Sequence, residues 1–105
     1  MSTDEQKAAI GGFLLERNSA KREAALLERQ IWDAGSALSK AGTLLARTEN
    51  AYRSPVALMQ TATVILEEFA SKGGLEALRK AIADYQAITQ RVSELTKSLH
   101  DAGAE

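Results

Sequence analysis

Between residues 10 and 52, one stripe of the chain repeats at alternating steps of three and four. Its positions are Ile10, Phe13, Arg17, Ala20, Ala24, Leu27, Ile31, Ala34, Leu38, Ala41, Leu45, Thr48 and Tyr52, and only Arg17 and Thr48 depart from apolar or aromatic character. A mean step of 3.5 keeps one side of a helix turned toward a partner and winds paired helices with a left-handed supercoil. The pattern predicts a first helix over about 3–52 with coiled-coil heptad packing. Leu14, Leu26 and Leu44 flank the stripe and broaden it. That breadth suits a bundle of several helices better than an isolated two-stranded coil.

Two glycines interrupt this helix. Gly35 and Gly42 each follow a stripe residue, Ala34 and Ala41. In a helix interior each costs roughly 1 kcal/mol relative to alanine. They fall on one face, two turns apart, and with Ala34, Ala37 and Ala41 they form a smooth strip. Another backbone could approach such a strip closely, and dispersion contact would offset part of the glycine cost. The alternative is a break, with Ser36 or Thr43 capping a new helix. The unbroken stripe favours continuity. Weaker interruptions are Asn18-Ser19 and, in the first turns, Gly11-Gly12.

The clearest boundary is Tyr52-Arg53-Ser54-Pro55. Ser54 suits an N-cap, and Pro55 suits the first helical position, where its missing N–H is not needed. A second helix is predicted over about 55–71. Its apolar residues form two rows: Val56, Met59, Leu66 and Ala70, then Leu58, Ala62, Ile65 and Phe69, with Val64 adding to them. Apolar around so much of its girth, this helix should be the most buried element. Gly73-Gly74 then reads as a helix stop. A third helix is predicted over about 75–102, with its own stripe at Leu78, Ala81, Tyr85, Ile88, Val92, Leu95, Leu99 and Ala102, flanked by Leu75 and Ile82. Glu76 near its start and Lys97 and His100 near its end complement the helix dipole, and Gly103 is a plausible stop.

These spans define an all-α protein, a long helical hairpin or three-helix bundle. At a rise of ~1.5 Å per residue the helices would measure roughly 70, 24 and 42 Å. A lone copy would then leave part of its apolar surface bare, and self-association as a two-fold dimer is the natural remedy.

Composition agrees. Among 105 residues there are nineteen alanines, one proline and 5% aromatics, which favours helix over sheet. The length fits a single domain. Formal net charge is −1, with both signs interleaved, so no strong field draws the chain to nucleic acid or acidic membranes. The most apolar stretch, Val56–Leu66, is too short to span a bilayer. The first ten residues lack the basic and apolar regions of a signal peptide, and a cytoplasmic setting is the default expectation. With no cysteine, disulfides and thiolate sites are excluded.

The residues offer little chemistry. His100 is the only histidine, and no Glu-x-x-His pair exists. Glu67 and Glu68 are adjacent, about 100° apart around a helix, and do not form a chelating pair. No Gly-x-Ser-x-Gly elbow or phosphate loop occurs, and Ser71-Lys72-Gly73-Gly74 reads as a terminator, not an anion nest. No catalytic residue, cofactor or metal is therefore expected. The Glu49/Arg53, Glu68/Lys72 and Glu76/Lys80 pairs are spaced four apart in the favourable order.

The functional expectation is a non-enzymatic helical interaction or assembly module, self-associating through its heptad stripes. The candidate interface comprises Arg17, Ile31, Trp32, Ala34, Gly35, Leu38, Ala41, Gly42 and Leu45. Arg17 on the stripe could snorkel or pair across a contact and help set register. Trp32 could wedge at the bundle edge or act as a partner hot spot. Tyr52 and Tyr85 read as stripe residues with hydroxyls at the rim. The alternative is a small helical subunit or inhibitor that docks on a nucleoprotein complex through Lys21, Arg22 and Arg29. Interleaved acids and the lack of stacking aromatics on that face weigh against nucleic acid. Mixed charge on the polar face weighs against a membrane surface.

Overall fold

The computed structural model describes residues 3–50 and 54–103, with side-chain surroundings for 4–48 and 54–103. The protein is all-α. Helix α1 spans Thr3–Ala46 and tightens into a 3-10 turn at Arg47–Asn50, α2 spans Pro55–Ser71, and α3 spans Gly74–Asp101. No strand occurs among the described residues.

Helix α1 runs unbroken through Asn18-Ser19, Gly35 and Gly42, and Gly11-Gly12 are helical as well. Its stripe accounts for this. Every described stripe position of α1 and the 3-10 turn is buried or partly buried except Leu45. Contact along the whole stripe holds the helix where glycine propensity alone would loosen it. The α-helix ends six residues before the expected limit. The Thr48 hydroxyl donates to the carbonyl of Leu45 at 2.7 Å, taking up one of the carbonyls a helix end leaves without an intrahelical donor. The 3-10 turn packs on α2. Leu44 and Thr48, four residues apart on one face, point inward there, and Leu45 stays outside at 42% exposure. Tyr52 and the Glu49/Arg53 pair lie outside the described side chains.

Ser54 occupies the N-cap of α2 with φ −52° and ψ 123°, and Pro55 follows at the first helical position. The Ser54 side chain makes no capping hydrogen bond; its carbonyl accepts instead from the Ala57 N–H at 3.1 Å. At the other end, the Lys72 and Gly73 N–H groups donate to Phe69 and Ala70 carbonyls. Gly73 and Gly74 both adopt positive φ, +107° and +62°. A Cβ at Gly73 would lie 2.5 Å from the Ala77 Cβ, so glycine is required there on two counts. Gly103, at φ +80°, ends α3 in the same way.

The chain forms two compact units. One comprises Met1–Glu28 with Ile82–Glu105, so the first half of α1 pairs with most of α3. In it, Leu95 and Leu99 are fully enclosed, and Tyr85, Ile88, Val92 and Ala102 are partly buried. Facing them, Ile10, Phe13, Ala20, Ala24 and Leu27 are partly buried along α1. Polar contacts join the same helices. The Arg17 Nη1 donates to the Thr96 hydroxyl at 3.5 Å, and Arg91 pairs with Glu16.

The other unit comprises Arg29–Ala81: the second half of α1, the 3-10 turn, all of α2 and the start of α3. Among its described residues, each of its three helices contributes one buried hydrophobic residue, and all three are alanines: Ala41, Ala62 and Ala81. Side chains this small allow helix axes to approach closely.

Helix α2 corrects one expectation. It is not the most buried element. Only the row Leu58, Ala62, Ile65 and Phe69 is turned inward. Val56, Met59, Val64 and Leu66 are 59%, 47%, 62% and 38% exposed. A helix packed along one face has one apolar row to hide, and α2 carries two.

Candidate interaction surface

The stripe half of the expected interface is occupied within the chain. Ile31, Ala34 and Leu38 are partly buried and Ala41 is buried, while Arg17 lies in the other unit, partly buried beside Thr96. The glycine half is open. Gly35 and Gly42 are exposed, and no atom would lie within 4 Å of a Cβ on either. The alanines thus serve close packing inside the protein, and the glycines face outward. Leu45 and Trp32 are exposed as well.

Trp32 is 63% exposed and stands at the edge of a half-open groove of about 730 Å³ in the Arg29–Ala81 unit. Ala34, Ala37, Ile65, Phe69, Leu78 and Ala81 supply its apolar lining. Asp33, Lys40, Glu68 and Lys72 bring two charges of each sign to the same groove. Glu68 and Lys72 already pair at 3.4 Å, as their spacing predicts. Polar and apolar groups are thus mixed along the groove.

The basic cluster is not assembled as a free anion face. Lys21 and Arg22 are exposed. Arg29 instead pairs with Asp33 at 3.4 Å, and its guanidinium carbon lies 5.2 Å from the Trp32 ring centroid. The ring lies against one face of the guanidinium.

The surface that sequence reasoning underrated is the outer row of α2: Val56, Met59, Thr63, Leu66 and Ala70, all exposed. A signal was present. Residues 54–66 form a run of thirteen without a charged side chain, against eight for the next longest run, at 8–15. Its threonines direct their protons back to their own helix, Thr61 Oγ1 to the Ala57 carbonyl at 3.1 Å and Thr63 Oγ1 to the Met59 carbonyl at 2.8 Å.

Among the described residues, no group of three or more His, Cys, Asp or Glu is placed to hold a metal ion. Among the same residues, no helix is long and apolar enough to cross a membrane. His100 is exposed in the last turn of α3. Comparison with protein-family models, with curated proteins and with solved structures finds no match to this chain.

Proposed function

We propose that this chain is a non-enzymatic helical interaction or assembly module that associates with copies of itself, most simply as a two-fold dimer. One observation carries the reading. Among its described residues, the Arg29–Ala81 unit buries three alanines and partly buries Ile31, Leu38, Leu58, Ile65, Phe69 and Leu78, while Trp32, Leu45, Val56, Met59, Val64, Leu66 and Leu75 remain exposed. Scattered surface apolar residues are ordinary, but a helix with no charged residue over 54–66 and an exposed apolar row is the kind of surface that partners cover. With the α1 stripe turned inward, contact with a partner falls to these outer residues and to the open ground at Gly35 and Gly42.

Sedimentation velocity over a concentration series tests the proposal. The expected result is a rise from the monomer mass toward twice that value. A monomer mass at every concentration removes self-association. Docking on a nucleoprotein through Lys21, Arg22 and Arg29 has weaker support, because Arg29 is engaged by Asp33 and Trp32. A salt-dependent mobility shift with nucleic acid would favour it.

A further inference from the structure

We infer that Glu16 and Arg17 on α1, held by Arg91 and Thr96 on α3, are the register lock of this helix pair. They select one alignment of two apolar stripes that could otherwise meet in several.

The stripes do not select it themselves. Along α3, a slip of seven residues exchanges Leu99 for Val92, Leu95 for Ile88, Val92 for Tyr85 and Ile88 for Ala81. Each exchange puts one apolar or aromatic residue where another stood, so hydrophobic contact survives the slip. A stripe that repeats every seven residues needs a polar feature to single out one alignment.

The polar contacts between α1 and α3 supply that feature. Arg17 is the only charged residue among the stripe positions of α1. It is partly buried, its Nε is enclosed, and its Nη1 donates to the Thr96 hydroxyl at 3.5 Å. Next to it, Glu16 accepts from the Arg91 Nε at 2.9 Å. Seven residues toward the start of α3, Thr89 takes the place of Thr96 and Asp84 the place of Arg91. Arg17 would keep a hydroxyl, but Glu16 would exchange a cation for a second carboxylate. Seven residues the other way, Gly103 and Ser98 take those places. Arg17 would then lose its hydroxyl and Glu16 its cation.

Energetics assigns the role. An enclosed guanidinium is costly to take out of water, and an apolar side chain of similar volume is often neutral or stabilising in its place. The Glu16–Arg91 pair is about half exposed and contributes little to stability. Groups that add little to stability and distinguish between alignments act as a polar residue does at a coiled-coil seam.

The test measures the alignment directly. The native chain has no cysteine, so spin labels at Ala8→Cys and Gln86→Cys, exposed positions of α1 and α3, report one separation. Labelled chain is diluted into an excess of the same unlabelled chain, and the separation is read by pulsed electron paramagnetic resonance. The native pair should give one distance. The double substitution Glu16→Gln with Arg17→Leu should retain helicity and show a second population displaced by about 10 Å, the length of seven helical residues. Lys21→Leu, an exposed control on α1, should keep the single native distance. A single native distance in the double variant overturns the lock. Loss of helicity in that variant overturns it as well, because the two residues would then support the fold instead of choosing its alignment. A second population in the Lys21→Leu control also overturns it, by tracing the slip to added hydrophobicity.

Discussion

Arg91 holds Glu16 across 75 positions of sequence: its Nε donates to Glu16 Oε1 at 2.9 Å, and its Nη2 reaches the same oxygen at 2.7 Å. Its Nη1 lies 3.4 Å from Glu94 on its own helix. The hydrogen bond and charge of Glu16 raise the arginine pKa above its ordinary value. Both side chains are about half exposed, at 49% each, which limits what the contact contributes. A double-mutant cycle of Glu16→Ala and Arg91→Ala should give a small favourable coupling in urea unfolding that shrinks as salt is added. A coupling of zero at low salt would show that the contact does not persist in solution.

The glycines separate into two groups with opposite outcomes. At Gly42 a methyl group would find no atom within 4 Å, so Gly42→Ala should stabilise the protein by about 1 kcal/mol. At Gly73, with φ +107° and Ala77 in the way, alanine should destabilise by about 1–2 kcal/mol. Chemical denaturation of both variants checks the contrast. If Gly42→Ala also weakens self-association, the open ground on α1 belongs to the contact as well.

Enclosed positions should respond to volume. Leu99 is 0% exposed, and Leu99→Ala should cost about 2–5 kcal/mol of stability. Ala41 is 2% exposed, and Ala41→Leu should cost about 1–3 kcal/mol through overpacking. Ala41→Leu thus disturbs the fold itself, whereas Gly35→Leu, on open ground, is the cleaner probe of association. Thermal unfolding of the three variants in parallel distinguishes these effects.

Trp32 is the only tryptophan, so fluorescence reads one site. At dilute concentration its emission should be that of a solvent-exposed indole, readily quenched by acrylamide. A buried, poorly quenched spectrum for the dilute monomer would contradict its place at the groove edge. A blue shift on concentration would add the groove to the contact surface.

Much of this architecture was legible in the sequence. The stripes of α1 and α3 name the inward residues almost position for position, because a 3.5 repeat leaves a helix one side on which to pack. Ser54-Pro55 and Gly73-Gly74 mark the ends of α2 because proline and left-handed glycine carry their geometry with them. The inward side of α2 was not legible. Leu58, Ala62, Ile65 and Phe69 are no more apolar as a row than Val56, Met59 and Leu66, and only packing against the rest of the chain chooses between them. The outward turn of Gly35 and Gly42 was hidden for a related reason: small residues permit contact on a face without specifying it.

In the Arg29–Ala81 unit the buried described residues are Ala41, Ala62 and Ala81, and Leu38, Leu58, Ile65, Phe69 and Leu78 are only partly enclosed, which bears on motion. Partly enclosed side chains keep some of their hydration, so each contributes less than a fully enclosed leucine such as Leu95 or Leu99. Amide hydrogens in residues 29–81 should therefore exchange with solvent sooner than those around Leu95 and Leu99. A bound neighbour would slow that exchange by supplying the ballast this segment lacks. In this part of the chain, recognition and the completion of folding would be a single event.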